Sequence, residues 1–222
     1  MGLSRDLRIA VFASGNGGNF AALADAAGRG ELGGAIAIAA LFCDQPSAPA
    51  IARAKRRGIE VVQPPTGRHR TRLEDERPWL GALEERRIDV VLLAGFMRRL
   101  HATLLQPFAG RMLNIHPSLL PAFPGLDAIG QAWRHGVRVT GCTVHFVEDA
   151  LDSGPIVAQG AVPVDDHDTL ESLAARMHAA EHALYAPAVH RVLTEPWRVE
   201  GRVLTFGDGQ GLALPGGEVV HG

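Results

Sequence analysis

The first half of the chain alternates between short apolar runs and segments with helical spacing. Four apolar runs have the length of β-strands, at Leu7–Ala13, Ala35–Cys43, Ile59–Gln63 and Ile88–Ala94. The segments between them predict helices at Phe20–Ala27, Ser47–Arg57 and roughly Arg70–Arg87. Pro78 could kink or split the third helix, because proline lacks the N–H that an inner helical turn requires. Continuous apolar runs fit strands covered on both faces, so the alternation favours a parallel sheet with right-handed crossovers.

The second half of the chain predicts more β-structure and one long helix. Met112–His116 predicts a strand, which leads into a segment rich in proline and glycine. The later elements are two strands joined by a turn, a long helix and a small hairpin, at Thr140–Glu148, Pro155–Val164, Asp168–Leu193 and Trp197–Thr205. We therefore expect an α/β fold, with a Rossmann-like, open, mostly parallel twisted sheet, helices on both faces and an antiparallel strand near the C-terminal half.

The composition is that of a globular protein and excludes several classes of function. Hydrophobic residues make up 46% of the 222 residues and charged residues 21%, so a substantial core can form. The net charge of −2 gives no support to a broad nucleic-acid-binding surface. No run approaches the roughly 18 apolar residues of a membrane span. We expect a soluble, cytoplasmic protein with neither nucleic acid nor membrane as a partner.

The cysteines and histidines predict no metal site. Cys43 and Cys142 are too few for a disulfide scaffold, and no CxxC or Cys/His cluster suggests zinc. His178 and His182 lie at i and i+4 on the long helix, a spacing that can chelate a metal. Because no HExxH pattern accompanies them, a pair of surface histidines is the better interpretation.

A glycine-rich loop, Gly15-Asn16-Gly17-Gly18-Asn19, separates the first expected strand from the first helix. The unpaired N–H groups at a helix N-terminus favour an anion, and glycines let a phosphate approach the backbone closely. The loop is not a dinucleotide fingerprint, because Phe20 stands where a third glycine would be, and no Gly-Lys-Ser/Thr follows as in a Walker A loop. Its place at the carboxyl edge of the sheet favours phosphate binding over a tight turn without a ligand.

Two polar residues, separated by one apolar residue, lie in the second half of the expected strand Met112–His116. Asn114 and His116 are two residues apart, so they face the same side of an extended chain. An amide can hold a developing oxyanion while an imidazole moves a proton, which suits acyl transfer, although a core asparagine and a structural histidine fit the same pattern. Asp152 follows the strand that contains His145; it could orient His116 or belong to an ordinary β-turn.

Several longer motifs resemble the formyltransferases that use 10-formyltetrahydrofolate. The motifs are Asn114–Pro121 (NIHPSLLP), Phe123–Gly125, Thr140–Val147, and Leu151–Ile156 with Gln159. Three others resemble the branch that formylates the amine of glycinamide ribonucleotide in purine synthesis, at Ser14–Asn19, Leu93–Arg98 and Glu181–Pro187. The resemblance extends over about residues 7–194, and NIHPSLLP is its most specific part.

The resemblance implies roles for individual residues. It implies a catalytic trio of Asn114, His116 and Asp152, with His145 in a supporting position. The residues implied for the ribosyl phosphate and the amine end of the substrate are Gly17, Gly18, Asn19 and Glu181. Those implied for the folate are Arg70 (or its neighbours Arg68 or Arg72), Met97, Arg98, Arg99, Leu100, Asn114, Glu148, Asp149, Ala150, Leu151 and Asp152. 10-Formyltetrahydrofolate is then the co-substrate, and no metal is expected.

The chain departs from the family pattern in two places. Gly18 stands where many members carry serine, which removes a hydroxyl contact to phosphate. Asp127 and Ile129 stand where familiar members often have histidines, and Gly130 is another local change. We expect this proline- and glycine-rich segment to form a mobile flap over the folate, without the pH-dependent ordering that histidines would give.

The same formyl-handling core occurs in formyltetrahydrofolate hydrolase and in methionyl-tRNA formyltransferase. Each carries an additional domain, for which the expected elements leave no room. A sugar-nucleotide formyltransferase and a non-catalytic folate- or nucleotide-binding module are further alternatives. We expect one domain over 1–222, with a phosphate-binding half at about 7–110, a catalytic and folate-binding half at about 111–194 and a loose tail at about 208–222. It would act on glycinamide ribonucleotide and 10-formyltetrahydrofolate as a monomer or homodimer.

Overall fold

The computed structural model describes residues 6–33, 36–209 and 211–212. The strands are β1 (Leu7–Ala13), β2 (Ile36–Cys43), β3 (Glu60–Val62), β4 (Val90–Leu93), β5 (Met112–His116), β6 (Val139–Phe146), β7 (Ile156–Pro163), β8 (Trp197–Glu200) and β9 (Val203–Phe206). The helices are α1 (Gly18–Gly28), α2 (Pro49–Arg56), α3 (Arg77–Glu85), α4 (Ala102–Leu105), α5 (Ala128–His135) and α6 (Leu170–Thr194).

Seven of these strands form one sheet in the order β3-β2-β1-β4-β5-β6-β7. The first five strands along the chain pair in parallel, whereas β6 is antiparallel to both β5 and β7. The expected mostly parallel sheet with an antiparallel strand in the C-terminal half is therefore confirmed. Strands β8 and β9 form the expected hairpin as a separate two-stranded sheet.

The sheet has a hydrophobic core on each face. Along β1, Ile9 and Val11 belong to a core that also contains residues of α1, α2 and α6, whereas Phe12 points to the opposite core. There Phe12 stacks on Phe42 with ring centroids 5.1 Å apart, and Trp79 of α3 packs against both rings. Helices thus cover both faces, as the continuous apolar strands predict.

The helix expected at Arg70–Arg87 is shorter than its charge pattern suggested. Helix α3 begins at Arg77, with Pro78 in its first turn, so the proline starts the helix and does not kink it. Proline is tolerated there because the first N–H groups of a helix have no partner within the helix. Residues 63–76 form an irregular connection without a helix, which turns back so that the N–H of Glu74 donates to the carbonyl of Thr66.

Three further differences concern element boundaries. The short helix α4 was not predicted, and α5 lies inside the segment that its prolines and glycines suggested was a flap. Helix α6 begins after Thr169, which forms a reciprocal capping box with Ser172. The expected start of β2 at Ala35 lies outside the described residues, as does the tail except for 208–209 and 211–212.

Across the described ranges, no helix combines the length and apolarity needed to span a membrane.

Candidate active site

The candidate site lies at the carboxyl edge of the parallel strands, beside β1 and β4, where the strand order reverses. Ser14 follows β1, and its N–H donates to the carbonyl of Gly95 after β4 at 3.1 Å. The N–H of Met97 in turn donates to the Ser14 hydroxyl at 2.9 Å. The glycine loop after β1 and the expected folate segment after β4 are therefore joined directly.

The glycine loop turns sharply into α1. Gly17 has φ +70°, and a Cβ on this residue would lie 2.6 Å from the Cβ of Ala50, so both backbone and space require glycine. The N–H of Ala50 donates to the carbonyl of Gly15 at 3.2 Å, which fixes α2 against the loop. No side chain caps the first turn of α1, and Oδ1 of Asn19 is buried without a partner in the described chain. The first N–H groups of α1 therefore have no side-chain partner and can bind an anion.

Four polar side chains form a compact cluster on β5, β6 and the loop after β6. Asn114 on β5 lies opposite His145 on β6, and Nδ2 of Asn114 is 3.1 Å from Nε2 of His145. Oδ2 of Asp152 lies 3.5 Å from Nδ1 of His116, and its Oδ1 lies 3.8 Å from Nε2 of His145. The three expected catalytic residues and His145 are therefore brought together.

The hydrogen bonds determine how His145 is protonated. Nδ1 of His145 lies 2.8 Å from the carbonyl oxygen of Phe146, which can only accept, so this nitrogen carries the proton. Burial lowers the pKa of His145, which keeps the ring neutral. Nε2 therefore accepts one N–H of the Asn114 amide. That bond fixes the orientation of Asn114 and leaves its second N–H for a ligand.

Asp152 and His116 tie the loop after β5 to this cluster. Nε2 of His116 donates to the carbonyl of Phe123 at 2.9 Å, and the N–H of Gly125 donates to Oδ2 of Asp152 at 2.7 Å. The Asp152 backbone has φ +47°, a left-handed conformation that aspartate tolerates better than most residues. Both ring nitrogens of His116 thus face oxygen atoms.

A second network holds the start of the same loop. The Thr143 hydroxyl donates to the carbonyl of Ser118 at 2.7 Å and accepts the N–H of Leu120 at 3.1 Å. Nε2 of Gln159 donates to the carbonyl of Leu120 at 2.9 Å and to the Thr143 hydroxyl at 3.0 Å. Because His116 pairs with Thr143 in the sheet, this network fixes the chain direction immediately after His116.

Helix α6 places Glu181 and Tyr185 beneath the site. The Glu181 carboxylate is buried and lies 2.8 Å from Nδ1 of His178, and this bond raises the pKa of His178. The Tyr185 hydroxyl lies within reach of the carbonyls of Leu93 on β4 and Leu113 on β5, at 3.0 and 3.1 Å. Tyr185 therefore anchors α6 against the two strands that lead to the site.

The two segments expected around the folate meet. Nη2 of Arg99 donates to the carbonyl of Asp149 at 3.0 Å, which joins residues 97–100 to residues 148–152. Met97 and Leu151 expose 54% and 60% of their surface, so both present apolar area at this opening. Leu100, in contrast, is buried in the core that surrounds Phe12.

The Arg98 side chain is buried and bonded to three residues of the protein. Its Nε donates to Oδ2 of Asp44 at 2.6 Å, and the two side chains expose only 7% and 1% of their surface. Its Nη1 donates to the carbonyls of His69 and Arg72. The expected folate residue Arg98 therefore holds the connection between β3 and α3 in place.

Among the three candidate arginines, Arg72 is the one connected to the folate segment. Arg72 pairs with Arg99 as an isolated parallel bridge, and the N–H of Arg99 donates to the carbonyl of Thr71 at 2.8 Å. The side chains of Arg68, Arg70 and Arg72 are all exposed. The backbone contacts thus favour Arg72 over Arg70 as the nearer of the three.

Comparison with known proteins decides the family. The signature described as formyl transferase matches residues 7–189. The chain belongs to the formyl transferase family. The resemblance stated from the motifs is therefore confirmed, and the match includes the glycine loop, the four-residue cluster and Glu181.

Individual relatives of this formyl transferase are similar over most of their length. Phosphoribosylglycinamide formyltransferase of Bacillus subtilis is 42% identical over 186 residues, which cover 84% of this chain and 94% of the relative. The crystal structure of phosphoribosylglycinamide formyltransferase from Bacillus halodurans has a TM-score of 0.79 and 44% identity, with 84% of this chain and 95% of that one covered. The crystal structure of glycinamide ribonucleotide transformylase 1 from Symbiobacterium toebii has a TM-score of 0.84 and 38% identity, covering 93% and 96%.

Sequence reasoning missed several contacts of this formyl transferase site. The hydrogen bond between Asn114 and His145 joins residues on different strands, and only the antiparallel register reveals it. The hydrogen bond from Gln159 to Leu120 also joins residues that are distant in sequence, so local patterns did not predict it, although Gln159 belongs to a recognised motif.

Within the described ranges, no group of three or more His, Cys, Asp or Glu side chains is placed to hold a metal ion.

Proposed function

We propose that this formyl transferase transfers the formyl group of 10-formyltetrahydrofolate to the amine of glycinamide ribonucleotide in purine biosynthesis. The observation that carries the proposal is the cluster of Asn114, His116, His145 and Asp152 at the carboxyl edge of the sheet. The glycine loop, which can hold a phosphate, is joined to the same edge through Ser14 and Met97. The names of the similar proteins support the same substrates.

The reaction is an acyl transfer between two nitrogen atoms. The substrate amine attacks the formyl carbon, and the carbonyl π electrons move to oxygen, which gives a tetrahedral intermediate. Collapse of this intermediate breaks the bond from the formyl carbon to N10 of the folate. The attacking nitrogen loses a proton and N10 gains one, so tetrahydrofolate and the N-formyl product are formed. The protein has to stabilise the oxyanion and move the proton.

Asn114 is suited to stabilise the oxyanion. His145 accepts one of its amide N–H groups and leaves the second free, so the donor is oriented before the substrate arrives. Such preorganisation matters because a donor already in place needs no rearrangement as charge develops. His116 stands two residues further along the same face of β5, and its Nε2–H would become the second donor by leaving the carbonyl of Phe123 when the oxyanion forms.

His116 and Asp152 are suited to transfer the proton. The carboxylate near Nδ1 orients the His116 ring, and His116 would carry the proton from the attacking amine to N10, through water where the ring does not reach. Asp152 also receives the Gly125 N–H, which fixes the carboxylate in position. The histidine serves as the carrier, and the aspartate orients and stabilises it.

The remaining expected site residues supply binding. Gly17, Gly18 and Asn19 present the first turn of α1 to the ribosyl phosphate, and the buried Glu181 carboxylate is positioned to attract the substrate ammonium group. Met97, Arg99, Leu151 and either Arg70 or Arg72 border the opening for the folate, with Glu148, Asp149 and Ala150 in the adjoining loop. Since these residues extend from α1 to α6, both halves of the chain act as one catalytic unit.

The proposal is tested by following tetrahydrofolate formation from 10-formyltetrahydrofolate by absorbance, with and without glycinamide ribonucleotide. We expect product only when the ribonucleotide is present. Release of formate without it would identify a hydrolase, and release only with an amino sugar nucleotide would identify a sugar-nucleotide formyltransferase. A protein that binds the folate but releases nothing with any amine would be a binding module.

A further inference from the structure

The C-terminal hairpin packs an aromatic ring against the end of β6, the strand that carries His145. The ring centroids of Trp197 on β8 and Phe146 on β6 lie 4.9 Å apart, with an interplanar angle of 42°. Nε1 of Trp197 donates to the carbonyl of Val192 in α6 at 3.1 Å, and the Trp197 carbonyl accepts the N–H of Gly211 at 3.2 Å. Trp197 is therefore held both by its indole and by its backbone.

Phe146 supplies the carbonyl that determines which nitrogen of His145 is protonated. Nδ1 of His145 donates to this oxygen at 2.8 Å. The Phe146 side chain is buried, and a Cβ on Gly154 would lie only 2.0 Å from the same carbonyl oxygen. The position of the oxygen thus depends on a ring that packs against Trp197 and on a glycine that approaches it closely.

Two acceptors compete for the proton of the His145 ring. The Phe146 carbonyl lies 2.8 Å from Nδ1, whereas Oδ1 of Asp152 lies 3.8 Å from Nε2. With the proton on Nδ1, Nε2 accepts the Asn114 amide at 3.1 Å. With the proton on Nε2, the ring would donate towards Asp152, and the Asn114 amide would face an N–H instead of an acceptor. Displacement of the Phe146 carbonyl therefore favours the arrangement in which Asn114 is not held.

We propose that Trp197 is a positioning residue for formyl transfer. By holding Phe146 in place, it keeps the proton of His145 on Nδ1, and this tautomer in turn fixes the Asn114 amide. The inference rests on the proposed function, in which Asn114 stabilises the oxyanion. It gives the hairpin a role in the reaction, although β8 begins after residue 189, where the match to the family signature ends.

The hairpin also offers a residue that separates this role from simple packing. Leu204 on β9 packs against the same core as Phe146. It pairs with Val199, which is two residues from Trp197, so Leu204 and Trp197 lie on the same face of the hairpin. Truncation of Leu204 loosens this face and leaves the indole against Phe146.

The test determines the tautomer of His145 by ¹⁵N NMR of the intact, histidine-labelled protein at about pH 8, where an ordinary histidine is neutral. The variant His145→Gln identifies the His145 signals. In the wild type we expect the proton on Nδ1. Trp197→Ala should give a mixture of the two tautomers, whereas Trp197→Phe, which keeps a ring beside Phe146, should retain most of the wild-type signal. Leu204→Ala should keep the wild-type tautomer.

Steady-state kinetics connect the tautomer with the reaction. We expect Trp197→Ala to lower kcat by about 10- to 100-fold, which is less than the roughly 100- to 1,000-fold cost of removing an oxyanion donor. KM for glycinamide ribonucleotide should change little, because the affected amide acts in the transition state. Trp197→Phe should retain most of the turnover. Leu204→Ala should keep the wild-type kcat, and urea unfolding of each variant measures how far its stability falls.

Three results would overturn the role of Trp197. The first is a His145 proton on Nε2 in the wild type. The second is a wild-type tautomer or wild-type turnover in Trp197→Ala; if that variant does not fold, Trp197→Leu, which keeps apolar volume without a ring, decides the same question. The third is an equal change in Trp197→Ala and Leu204→Ala, which would identify a loosened hairpin as the cause.

These outcomes are distinguishable from a failure of the proposed function. The NMR comparison requires no substrate, so it decides whether Trp197 sets the His145 tautomer even if the wild type does not formylate glycinamide ribonucleotide. Formyl transfer by the wild type, together with an unchanged Trp197→Ala variant, would overturn this inference alone. Absence of transfer in the wild type would contradict the proposed function, and with it the role of Trp197 in that reaction.

Discussion

Oδ2 of Asp152 lies 3.5 Å from Nδ1 of His116, and the same oxygen accepts the N–H of Gly125. One carboxylate thus orients the ring on β5 and also holds the loop that follows that strand. Because Asp152 exposes only 10% of its side chain, water screens its charge from the ring poorly. The relationship connects the position of the loop with the orientation of the His116 ring.

We expect Asp152→Asn to lower kcat by about 100- to 10,000-fold, the usual contribution of positioned acid–base groups, with little change in KM for either substrate. Asparagine tolerates the left-handed backbone at this residue, and its amide oxygen can still accept the Gly125 N–H. Steady-state kinetics measure both parameters. Asp166→Asn, on an exposed turn before α6, is the matched control. Unchanged turnover in Asp152→Asn would remove Asp152 from the mechanism.

His145 makes stability depend on pH with a defined sign. Burial lowers the pKa of His145 below its ordinary value of 6.5, so the unfolded chain binds a proton more readily than the folded protein. The free energy of unfolding should therefore fall as the pH drops through 6.5, and this contribution levels off below the pKa of the folded state. Protonated Nε2 can no longer accept the Asn114 amide, so turnover should fall over the same acid range.

The variant His145→Gln tests this assignment, because glutamine does not titrate and its oxygen can accept the Asn114 amide. Urea unfolding at several pH values between 8 and 5, for wild type and variant, gives the difference that belongs to His145. His167→Gln removes an exposed histidine and should retain the wild-type pH dependence. Parallel pH profiles for wild type and His145→Gln would contradict the assignment.

The buried pair of Arg98 and Asp44 should be important for stability and for binding the folate. Arg98→Met leaves the Asp44 carboxylate buried without its cation, and we expect a loss of about 3–5 kcal/mol in the free energy of unfolding. Adding Asp44→Asn removes the unpaired charge and should recover part of that loss. KM for the formyl donor should rise in both variants, because Arg98 also holds the carbonyls of His69 and Arg72.

Urea unfolding and steady-state kinetics measure these effects. Arg29→Met breaks the exposed pair of Arg29 and Glu31 and should change stability little. Equal losses in Arg98→Met and in the double variant would show that unpaired charge is not the cause.

The sequence predicts the sheet and the catalytic strand well, because their signals are local. The run Met112–His116 is a strand in the structure with the predicted bounds, and the alternation of Asn114 and His116 places both on one face. Pro78 illustrates the limit, since proline fits both inside a kinked helix and at the start of one. Tertiary context decides between these two arrangements.

Contacts between distant residues could not be predicted from local patterns. Arg98 lies in a recognised motif next to exposed neighbours, yet its partner Asp44 is 54 residues away and takes it into the interior. His182 is exposed, as the interpretation of a surface pair predicts, but its position against Gly18 depends on how α6 packs on α1. In both cases the side chain's environment comes from the packing of separate elements.

The central claim is that this site transfers a formyl group to the amine of a ribonucleotide. The most direct measurement is ¹³C NMR of a reaction with 10-[¹³C-formyl]tetrahydrofolate and glycinamide ribonucleotide, run with wild type and with Asp152→Asn. The account predicts that the wild type moves the label to the amide of the N-formyl ribonucleotide, and that Asp152→Asn does so far more slowly. Label that appears as formate, or remains on the folate in the wild-type reaction, would contradict it.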